Sequence, residues 1–583
     1  MNYALNKDNG QKKATFASSR RLIPLMKGEG GRVAIASIAI LLSAGSTLLA
    51  PVLISRAVDQ AIRGNQWDLL LLFGVALFVV ALVAVGSEYV SVITMGGIGR
   101  RILFRLRNQL FSVLQSLPIA FFHQNKTGDL ISRINNDTDR LNQFFAQILV
   151  QFIRSLFLIL GTGILLVVLN VRLGVAVLLP AFGVLIMTRL ISPWVKRKNR
   201  ESLESLGDMS AEIQESLDSF KVIVAFNRLD YFREKFGSAN RLNYEASVKA
   251  GYANNVLKPI YGFATNVAQL VVLVYAIILI SGGQLTIGLL VGFLFYVNYF
   301  YTPLQQLATV WSSFQQALAA LDRISEILAM ESNMQIVEGQ SSGSRGVLAF
   351  QGVSFGYVDT DGVLKDISFE LEAGKTYALV GPTGGGKTTI ASLMARLYDP
   401  TQGTVFLNGK DIRSYALEER SRKVGFVLQE PFLFSGTVLD NLFYGNTAFA
   451  SASPEVKKDA LKEAGLLELL SSFSQGLDVK VDARGEGVSL GQRQLIAFVR
   501  AVLRKPEVFI LDEATANVDT VTEQLLEDVL RKLPSSTTKI VIAHRLNTIE
   551  NADGIFFVNA GRVTPAGSFD HAVEMLLHDQ RSS

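Results

Sequence analysis

The stretch "GPTGGGKT" contains the residue types that hold a phosphate group. Gly381, Gly386, Lys387 and Thr388 follow the pattern G-x-x-x-x-G-K-[ST], between an apolar strand-like run and a helix-like run. Glycines let successive backbone N–H groups face phosphate oxygens, and the N-terminus of the next helix adds its positive dipole. The lysine would reach the β- and γ-phosphates, and the threonine hydroxyl would be offered to Mg²⁺. This context predicts phosphate binding rather than a glycine-rich surface turn.

Two acids end a second apolar run. In "VFILDEATANVD", Asp512 and Glu513 directly follow four apolar residues. An acidic pair at the end of a buried strand is costly unless a cation lies nearby, so a solvated strand end is the less favoured interpretation. We predict that Asp512 holds Mg²⁺ through water and that Glu513 orients or deprotonates an attacking water.

Three further residues have both a structural and a functional interpretation. Gln429 follows an apolar run in "VGFVLQEPFLF", where its amide could contact Mg²⁺ or the attacking water. His544 ends the strand-like "IVIAH" and is structural if taken alone, but functional once the other motifs are counted. Tyr357, upstream of the phosphate loop, is either a packed aromatic or a platform for adenine.

The segment "VSLGQRQ" raises a question of its own. Ser489 stands at the predicted start of a helix, where two following glycines would let the backbone press against a phosphate. Leu490 takes the first of those places, before Gly491 and Gln492.

The elements that must position these residues divide into a membrane part and a soluble part. Of 583 residues, 49% are hydrophobic and only 18% are charged, which is too apolar for an ordinary soluble enzyme. A net charge of +5 does not by itself indicate nucleic acid, and no nucleic-acid partner is predicted. The chain has no cysteine, which excludes disulfides and thiol catalysis.

Six apolar runs are long enough to cross a bilayer, which needs roughly 20 residues each. They cover 33–55, 69–92, 150–169, 172–192, 260–281 and 284–303. Basic residues beside the membrane mark the cytoplasmic side, so both termini and both long connections are predicted to be cytoplasmic. Helical spacing within those connections predicts membrane helices that continue into the cytoplasm and return as antiparallel arms, which suits a machine that transmits movement.

The predicted domain organisation follows from a change of composition. Residues 1–330 form a six-helix α transmembrane domain with two long intracellular arms, and residues 331–345 form a Gly/Ser-rich linker. Residues 346–583 carry the strand, glycine-turn and helix signals of an α/β P-loop domain.

The order and spacing of these motifs resemble an ATP-binding cassette (ABC) domain. In addition, "FFHQNKTGDLISRINNDTDRL" and "TPLQQLATVWSSFQQALAALDRISEIL" resemble the membrane half of ABC exporters, so the resemblance covers about residues 18 to 577. It implies that two halves assemble, with each ATP between the phosphate loop of one cassette and the signature segment of the other. It also implies short coupling helices, docked on the cassettes, near Phe121 and Phe122 and near residues 220–226.

The resemblance implies a role for each site residue. ATP would contact Tyr357, Gly381, Pro382, Thr383, Gly384, Gly385, Gly386, Lys387, Thr388, Thr389, Ser489, Gly491 and Gln492. Mg²⁺ would be held by Thr388, Gln429 and Asp512, and hydrolysis would depend on Glu513, His544 and Gln429.

The predicted function is ATP-driven export of amphipathic small molecules or lipids across a bacterial plasma membrane by alternating access. Lipid flippase, peptide exporter and non-pumping sensor or channel are the alternatives; intact Glu513 and His544 favour turnover. An altered signature at Leu490 beside complete catalytic residues resembles the catalytically competent half of heterodimeric multidrug exporters. A heterodimer is therefore favoured over a homodimer, in which leucine would merely be tolerated.

The transported substance is less evident from the residues. In the sixth span Phe295 and Tyr299, like Tyr296 and Phe300, are one helical turn apart, which suits either a cavity for apolar or cationic compounds or helix packing. Four polar residues share one helical face entering the third span, and that face lines either an inner cavity or a cytoplasmic arm: Gln143, Gln147, Gln151 and Arg154. Glu88 is the predicted ion-pair partner of Arg154.

Overall fold

The computed structural model divides the chain into two compact units. The helical unit comprises Asn6–Gln115 and Gly128–Ala329; the α/β unit comprises Met1–Leu5, Ser116–Thr127 and Met330–Ser583. The structure describes residues 3–5, 24–62, 64–332, 334–338, 341, 343, 346–357, 362–471, 473, 476–482, 487–512, 520–542, 550 and 552–582.

Within the described residues, eleven α-helices lie before residue 330. They are α1 (Gly30–Arg56), α2 (Trp67–Ser116), α3 (Ile119–Gln124), α4 (Thr127–Ser132), α5 (Thr138–Gln143), α6 (Leu149–Leu169), α7 (Val171–Asp218), α8 (Phe220–Ala225), α9 (Leu229–Asn255), α10 (Leu257–Ser281) and α11 (Ile287–Leu328). Wider π-helical turns extend α1 at Ala57–Ile62 and join α4 to α6 at Arg133–Asp137 and Phe144–Ile148.

Six helical segments within the described residues are long and apolar enough to cross a membrane. They are Gly30–Ile62, Trp67–Ser116, Thr127–Leu169, Val171–Asp218, Leu229–Ser281 and Ile287–Leu328. Each of the six predicted apolar runs falls in one of them, although the last helix begins at Ile287 because Thr286 caps it by accepting the Leu289 N–H. An even number of crossings puts both ends of the chain on one side.

The helices are longer than a bilayer requires. The segment Trp67–Ser116 has 50 residues and Leu229–Ser281 has 53, against the roughly 20 that span the hydrocarbon core. The predicted continuation of the membrane helices beyond the bilayer is therefore confirmed. The segment of the second predicted coupling helix does form a short helix, α8.

Two buried tyrosines connect helices inside the helical unit through hydrogen bonds. Tyr296 on α11 is fully buried and donates its hydroxyl to the Leu48 carbonyl of α1 at 2.7 Å. Tyr301 donates to the Val177 carbonyl of α7 at 2.8 Å. Buried phenols need such a partner, so their positions are fixed by packing and hydrogen bonding together. Tyr296 and the buried Phe300 therefore serve helix packing rather than a cavity wall.

The α/β unit has a mainly parallel six-stranded sheet in the order β12-β11-β3-β10-β9-β6. An antiparallel four-stranded sheet has the order β2-β1-β4-β5, and β7 pairs with β8. The strands are β1 (Leu348–Phe355), β2 (Leu364–Leu371), β3 (Thr376–Val380), β4 (Gln402–Leu407), β5 (Lys410–Asp411), β6 (Val424–Val427), β7 (Gly436–Thr437), β8 (Lys480–Val481), β9 (Val508–Asp512), β10 (Thr538–Ile542), β11 (Gly554–Asn559) and β12 (Arg562–Pro565).

Three hydrophobic cores among the described residues support these sheets, and the smallest of them includes Val380 and Phe557. One lies between the antiparallel and parallel sheets and includes Phe350, Leu379 and Ile390; another joins β9 to a group of helices and includes Phe498 and Phe509. The helices of the α/β unit beyond residue 330 are α12 (Lys387–Met394), α13 (Leu417–Lys423), α14 (Val438–Leu442), α15 (Pro454–Glu463), α16 (Leu490–Val502), α17 (Thr520–Arg531) and α18 (Phe569–Ser582).

The short helix α3 belongs to the α/β unit, together with residues 3–5. Phe121 on α3 is fully buried, and His123 lies 6.5 Å from the Tyr398 ring, centroid to centroid. Residues 3–5 lie beside α3, where Asn125 accepts the Leu5 N–H at 2.9 Å and donates to the Tyr3 carbonyl at 2.9 Å. The first predicted coupling helix thus lies in the same compact unit as the α/β fold.

Candidate nucleotide-binding site

The phosphate loop connects β3 to α12. Gly381 (φ 145°) and Gly386 (φ 111°) both have backbone angles that disfavour other residues. A Cβ on Gly381 would also lie 2.0 Å from the Val558 carbonyl oxygen of β11. The glycine is thus required both by the turn and by close packing against a neighbouring strand. The sequence did not reveal the second reason, because Val558 is distant along the chain.

Lys387 stands at the start of α12, and its ammonium lies across the loop. The side chain is buried, and Nζ donates to the carbonyls of Gly381 at 2.8 Å and Pro382 at 2.9 Å. These two neutral carbonyl oxygens hold the Lys387 ammonium group beside the backbone of the phosphate loop. A phosphate oxygen is a stronger, charge-assisted acceptor for the same group.

Thr388 and Asp512 are brought together across the sheet. The Thr388 hydroxyl donates to Asp512 Oδ1 at 3.4 Å, a long hydrogen bond, and Asp512 is buried. Asp512 ends β9, which is separated from β3 by β10 alone. A buried carboxylate and a hydroxyl are hard oxygen ligands of the kind Mg²⁺ prefers, so this pair fits a magnesium ion.

Gln429 emerges at the same edge of the sheet. It follows β6, whose Val427 pairs with Leu511 in parallel register, so both strands deliver the next residues to one edge. Its side chain is exposed. The sheet register therefore brings Gln429 and Asp512 to neighbouring strand ends.

Tyr357 is held edge-on by two aromatic neighbours. Its ring is T-shaped against Phe355 at 4.9 Å and against Tyr398 at 5.3 Å, and its hydroxyl is 3.3 Å from the Thr389 hydroxyl on α12. The side chain keeps 37% of its surface exposed, which leaves part of the ring available for stacking. Burial raises the pKa of Tyr398 to about 12, with Tyr357 adding to the shift, so this neighbour is a neutral phenol.

The signature segment begins α16 with a reciprocal cap. Ser489 Oγ accepts the Gln492 N–H at 3.2 Å, and Gln492 Oε1 accepts the Ser489 N–H at 3.0 Å. A Cβ on Gly491 would lie 2.8 Å from Thr522 Oγ1 of α17, so this glycine is required by helix packing. Leu490 instead keeps 38% of its surface exposed, which explains how a branched residue fits there.

The structural role of Arg500 was not predicted from the sequence. Arg500 lies near the end of α16 and donates Nε to the Asn441 carbonyl at 2.7 Å and an N–H of its guanidinium to the Phe432 carbonyl at 3.0 Å. Its guanidinium also lies 5.7 Å from the ring centroids of Phe434 and Tyr444. Burial lowers the pKa of Arg500. The residue fixes α16, and with it the signature, relative to α14; nothing in the local sequence distinguishes it from a surface arginine.

Glu513 and His544 lie outside the described residues. The strands that they follow, β9 and β10, are hydrogen-bonded parallel neighbours, with Asp512 paired to Ile542.

The helical unit contains a second group of predicted residues. Arg154 on α6 hydrogen-bonds Glu88 on α2, so the predicted ion pair is confirmed. Gln147, Gln151 and Tyr299 line the same cavity as this pair, whereas Gln143 is not among its lining residues. Three of the four polar residues on that face therefore line this cavity.

Comparison with known proteins agrees with this arrangement. The family model described as the ABC transporter transmembrane region matches residues 33–304, and the ABC transporter model matches residues 364–516. An uncharacterized ABC transporter ATP-binding protein of Bacillus subtilis, YknV, is 32% identical over 91% of this chain and 88% of its own length. The ATP-dependent lipid A-core flippase of Pectobacterium atrosepticum is 30% identical over 96% of each chain.

A solved structure of a bacterial Atm1-family ABC exporter with ATP bound is 27% identical and has a TM-score of 0.76, covering 94% of this chain and 96% of that one. A fatty acid ABC transporter ATP-binding/permease protein of Mycobacterium tuberculosis is 30% identical over 80% of this chain and 74% of its own length. From these findings and the geometry above, the chain belongs to the ABC transporter family, as an exporter half-transporter that crosses the membrane six times and whose cassette hydrolyses ATP to drive transport.

Proposed function

We propose that this chain exports lipids or other amphipathic molecules as one half of a dimer, and that it supplies the competent catalytic residues. The observation that carries the proposal is the pairing of Thr388 with Asp512 beside the loop-bound Lys387, in a chain that also has six membrane-spanning helices. Relatives named as a lipid A-core flippase and a fatty acid transporter support the substrate class.

Each residue of the site has a distinct role in this proposal. The backbone of residues 381–386 surrounds the phosphates, Lys387 binds the β- and γ-phosphate oxygens, and Tyr357 stacks on adenine. Thr388, Asp512 and Gln429 hold Mg²⁺, which when bound neutralises charge on the phosphates. Glu513 accepts the proton of the attacking water, and His544 holds the water and the phosphate in line.

Replacing Glu513 by Gln tests the catalytic assignment. The change keeps size and hydrogen bonding but removes the base, so hydrolysis should fall roughly 10²–10⁴-fold while ATP binding is retained. Lys387→Ala is the matched contrast, because it should weaken nucleotide binding itself. Steady-state ATPase and equilibrium binding of a fluorescent ATP analogue separate the two. Hydrolysis by Glu513→Gln within threefold of the parent would show that another group is the base.

The second half is proposed to be a different chain. Leu490 adds a branched, exposed side chain at the first turn of α16, the end that would face the partner's γ-phosphate. Such a signature suits a site where ATP is held but turned over slowly, while Glu513 acts against an intact signature from the partner. Expressing the chain alone provides the test. A stable homodimer with robust, drug-stimulated ATPase would contradict the heterodimer.

Coupling to transport is proposed to follow from closure of the two cassettes. ATP binding would draw the arms of both halves together and favour an outward-facing cavity, and hydrolysis would reset it. Cysteines introduced at the exposed Lys126 and at the corresponding position of the other half, both spin-labelled, should be closer together with ATP and Mg²⁺ than without nucleotide. The absence of native cysteine in this chain makes the labelling site-specific here. An unchanged distance under turnover conditions would favour the sensor or channel alternative.

A further inference from the structure

A polar cavity within the helical unit contains a complete ion pair. Its walls come from α1, α2, α6, α11 and the π-helical turn before α6, and it has a volume of about 530 Å³, the size of a small-ligand site. Glu88 and Arg154 hydrogen-bond each other there and are the two charged residues among its described lining residues.

The pair makes this wall electrically neutral but not apolar. Glu88 lies in a membrane-spanning helix, where an unpaired charge is costly. Pairing offsets that cost, yet Glu88 keeps 48% and Arg154 keeps 32% of the side-chain surface exposed. Both groups therefore still present a face to the cavity.

The remaining lining residues divide by chemistry. Amides and a phenol surround the pair on α6 and α11, at Gln147, Gln151, Asn298, Tyr299 and Gln306. Amides both donate and accept hydrogen bonds, so they suit a headgroup of either polarity. Val92, Val150 and Leu158 add apolar surface for a hydrocarbon chain.

We infer that this cavity selects amphiphiles whose headgroup carries one positive and one negative charge, or is uncharged and polar, over amphiphiles with a single charge. The inference rests on the proposed export function and specifies its substrate class. A lone anionic headgroup that takes Arg154 leaves Glu88 without its counter-charge, and a lone cation does the reverse to Arg154. A zwitterion replaces both partners at once, so neither protein charge is left without a counter-charge.

This selectivity differs from what the names of the relatives suggest. A fatty acid, the cargo named for the mycobacterial relative, has a carboxylate and no positive group. In the present chain Arg154, the group with which a carboxylate would pair, already forms an ion pair with Glu88. A single-chain fatty acid is therefore a poor ligand for this wall.

Direct binding to the purified, full-length transporter in nanodiscs, without nucleotide, tests the inference. The probes are spin-labelled single-chain lipids of equal acyl length with a phosphocholine, a carboxylate or a trimethylammonium headgroup. Because Glu88 and Arg154 keep about half and a third of their surfaces exposed, phosphocholine should bind about two- to fivefold more tightly than either singly charged probe. Equal affinities, or tighter binding of the carboxylate, would overturn the inference without any variant.

Variants then assign the selectivity to the pair. Glu88→Gln should tighten carboxylate binding about two- to fivefold and weaken phosphocholine binding, and Arg154→Gln should do the same for the trimethylammonium probe. The double variant Glu88→Arg with Arg154→Glu keeps an ion pair and should retain the preference for phosphocholine. It provides a test that does not depend on the folding of the single variants. Gln151→Leu removes a lining amide and should weaken phosphocholine binding, whereas Gln143→Leu, outside the lining, should leave it unchanged. Unchanged preference in Glu88→Gln would refute the assignment.

Transport assays distinguish failure of the proposed export function from failure of the inferred headgroup selectivity. If phosphocholine binds selectively but ATP drives no movement of it across proteoliposomes, the exporter proposal fails while the binding selectivity stands. If ATP drives the carboxylate and phosphocholine probes equally, export holds and the inferred selectivity fails.

Discussion

Gly491 offers a sharp test of how the signature helix is positioned. A Cβ at this residue would lie 2.8 Å from Thr522 Oγ1, 3.0 Å from its Cγ2 and 3.3 Å from its Cβ. Ordinary contacts begin at roughly 3.5 Å, so Gly491→Ala is short of space by roughly 0.7 Å, and α16 and α17 must move apart. Overpacking of this kind costs about 1–3 kcal/mol.

The expected result is a lower melting temperature of the cassette. For a domain of this size each kcal/mol is worth roughly 2–4 °C, so Gly491→Ala should melt about 2–12 °C below the parent. The measurement is thermal unfolding of the purified full-length protein, followed by circular dichroism. Leu490→Ala is the neighbouring control; because Leu490 is partly exposed, its truncation should cost about 0.5 kcal/mol or less.

A second substitution separates packing from nucleotide contact. Thr522→Ala removes the two closest atoms, so the double variant should recover most of the lost stability. If Gly491 also lets the backbone approach the partner's nucleotide, ATPase of the double variant should remain low although its stability returns. A Gly491→Ala protein that melts within 1 °C of the parent, with no effect of Thr522→Ala, would refute the packing argument.

Three other outcomes are expected. Asp137→Asn should destabilise the helical unit by about 3–5 kcal/mol, because the buried Asp137 accepts hydrogen bonds from Arg323 Nε at 2.7 Å and from a second guanidinium N–H. The control is Asp139→Asn, which should cost below about 1 kcal/mol because Asp139 is half exposed; equal melting temperatures of the two variants would contradict this prediction. Asn125→Ala removes two hydrogen bonds to residues 3–5, so exchange of the Leu5 amide should accelerate about tenfold, and unchanged exchange would show that the segment is held otherwise. Leu490→Gly in the assembled transporter should change ATP turnover by less than about threefold, and a larger gain would place this signature at the fast site.

Much of the architecture could be predicted from local sequence signals. Long apolar runs predicted the six membrane-spanning helices, because a bilayer requires about 20 apolar residues whatever surrounds them. The phosphate loop was equally readable, since its glycines, lysine and threonine act through a continuous strand-loop-helix segment. The pairing of Glu88 with Arg154 was also predicted, because two opposite charges in apolar helices have few other ways to be accommodated.

Other features depended on contacts between residues far apart in the chain. The sequence left Tyr296 open between cavity and packing, and only its hydrogen bond to the Leu48 carbonyl decided for packing. The structural role of Arg500 depends on Asn441 and Phe432, which the sequence does not place beside it.

The signature segment illustrates the division between sequence and tertiary structure. The sequence alone determined that a serine caps a helix at Ser489 and that Leu490 departs from the expected glycine. The tertiary structure decided which of the next two positions needs a glycine for packing. Thr522 on α17 approaches Gly491, whereas Leu490 stays partly exposed. A local pattern specifies the types of residue that can do the chemistry, whereas the space around each residue is set by segments that meet it only after folding.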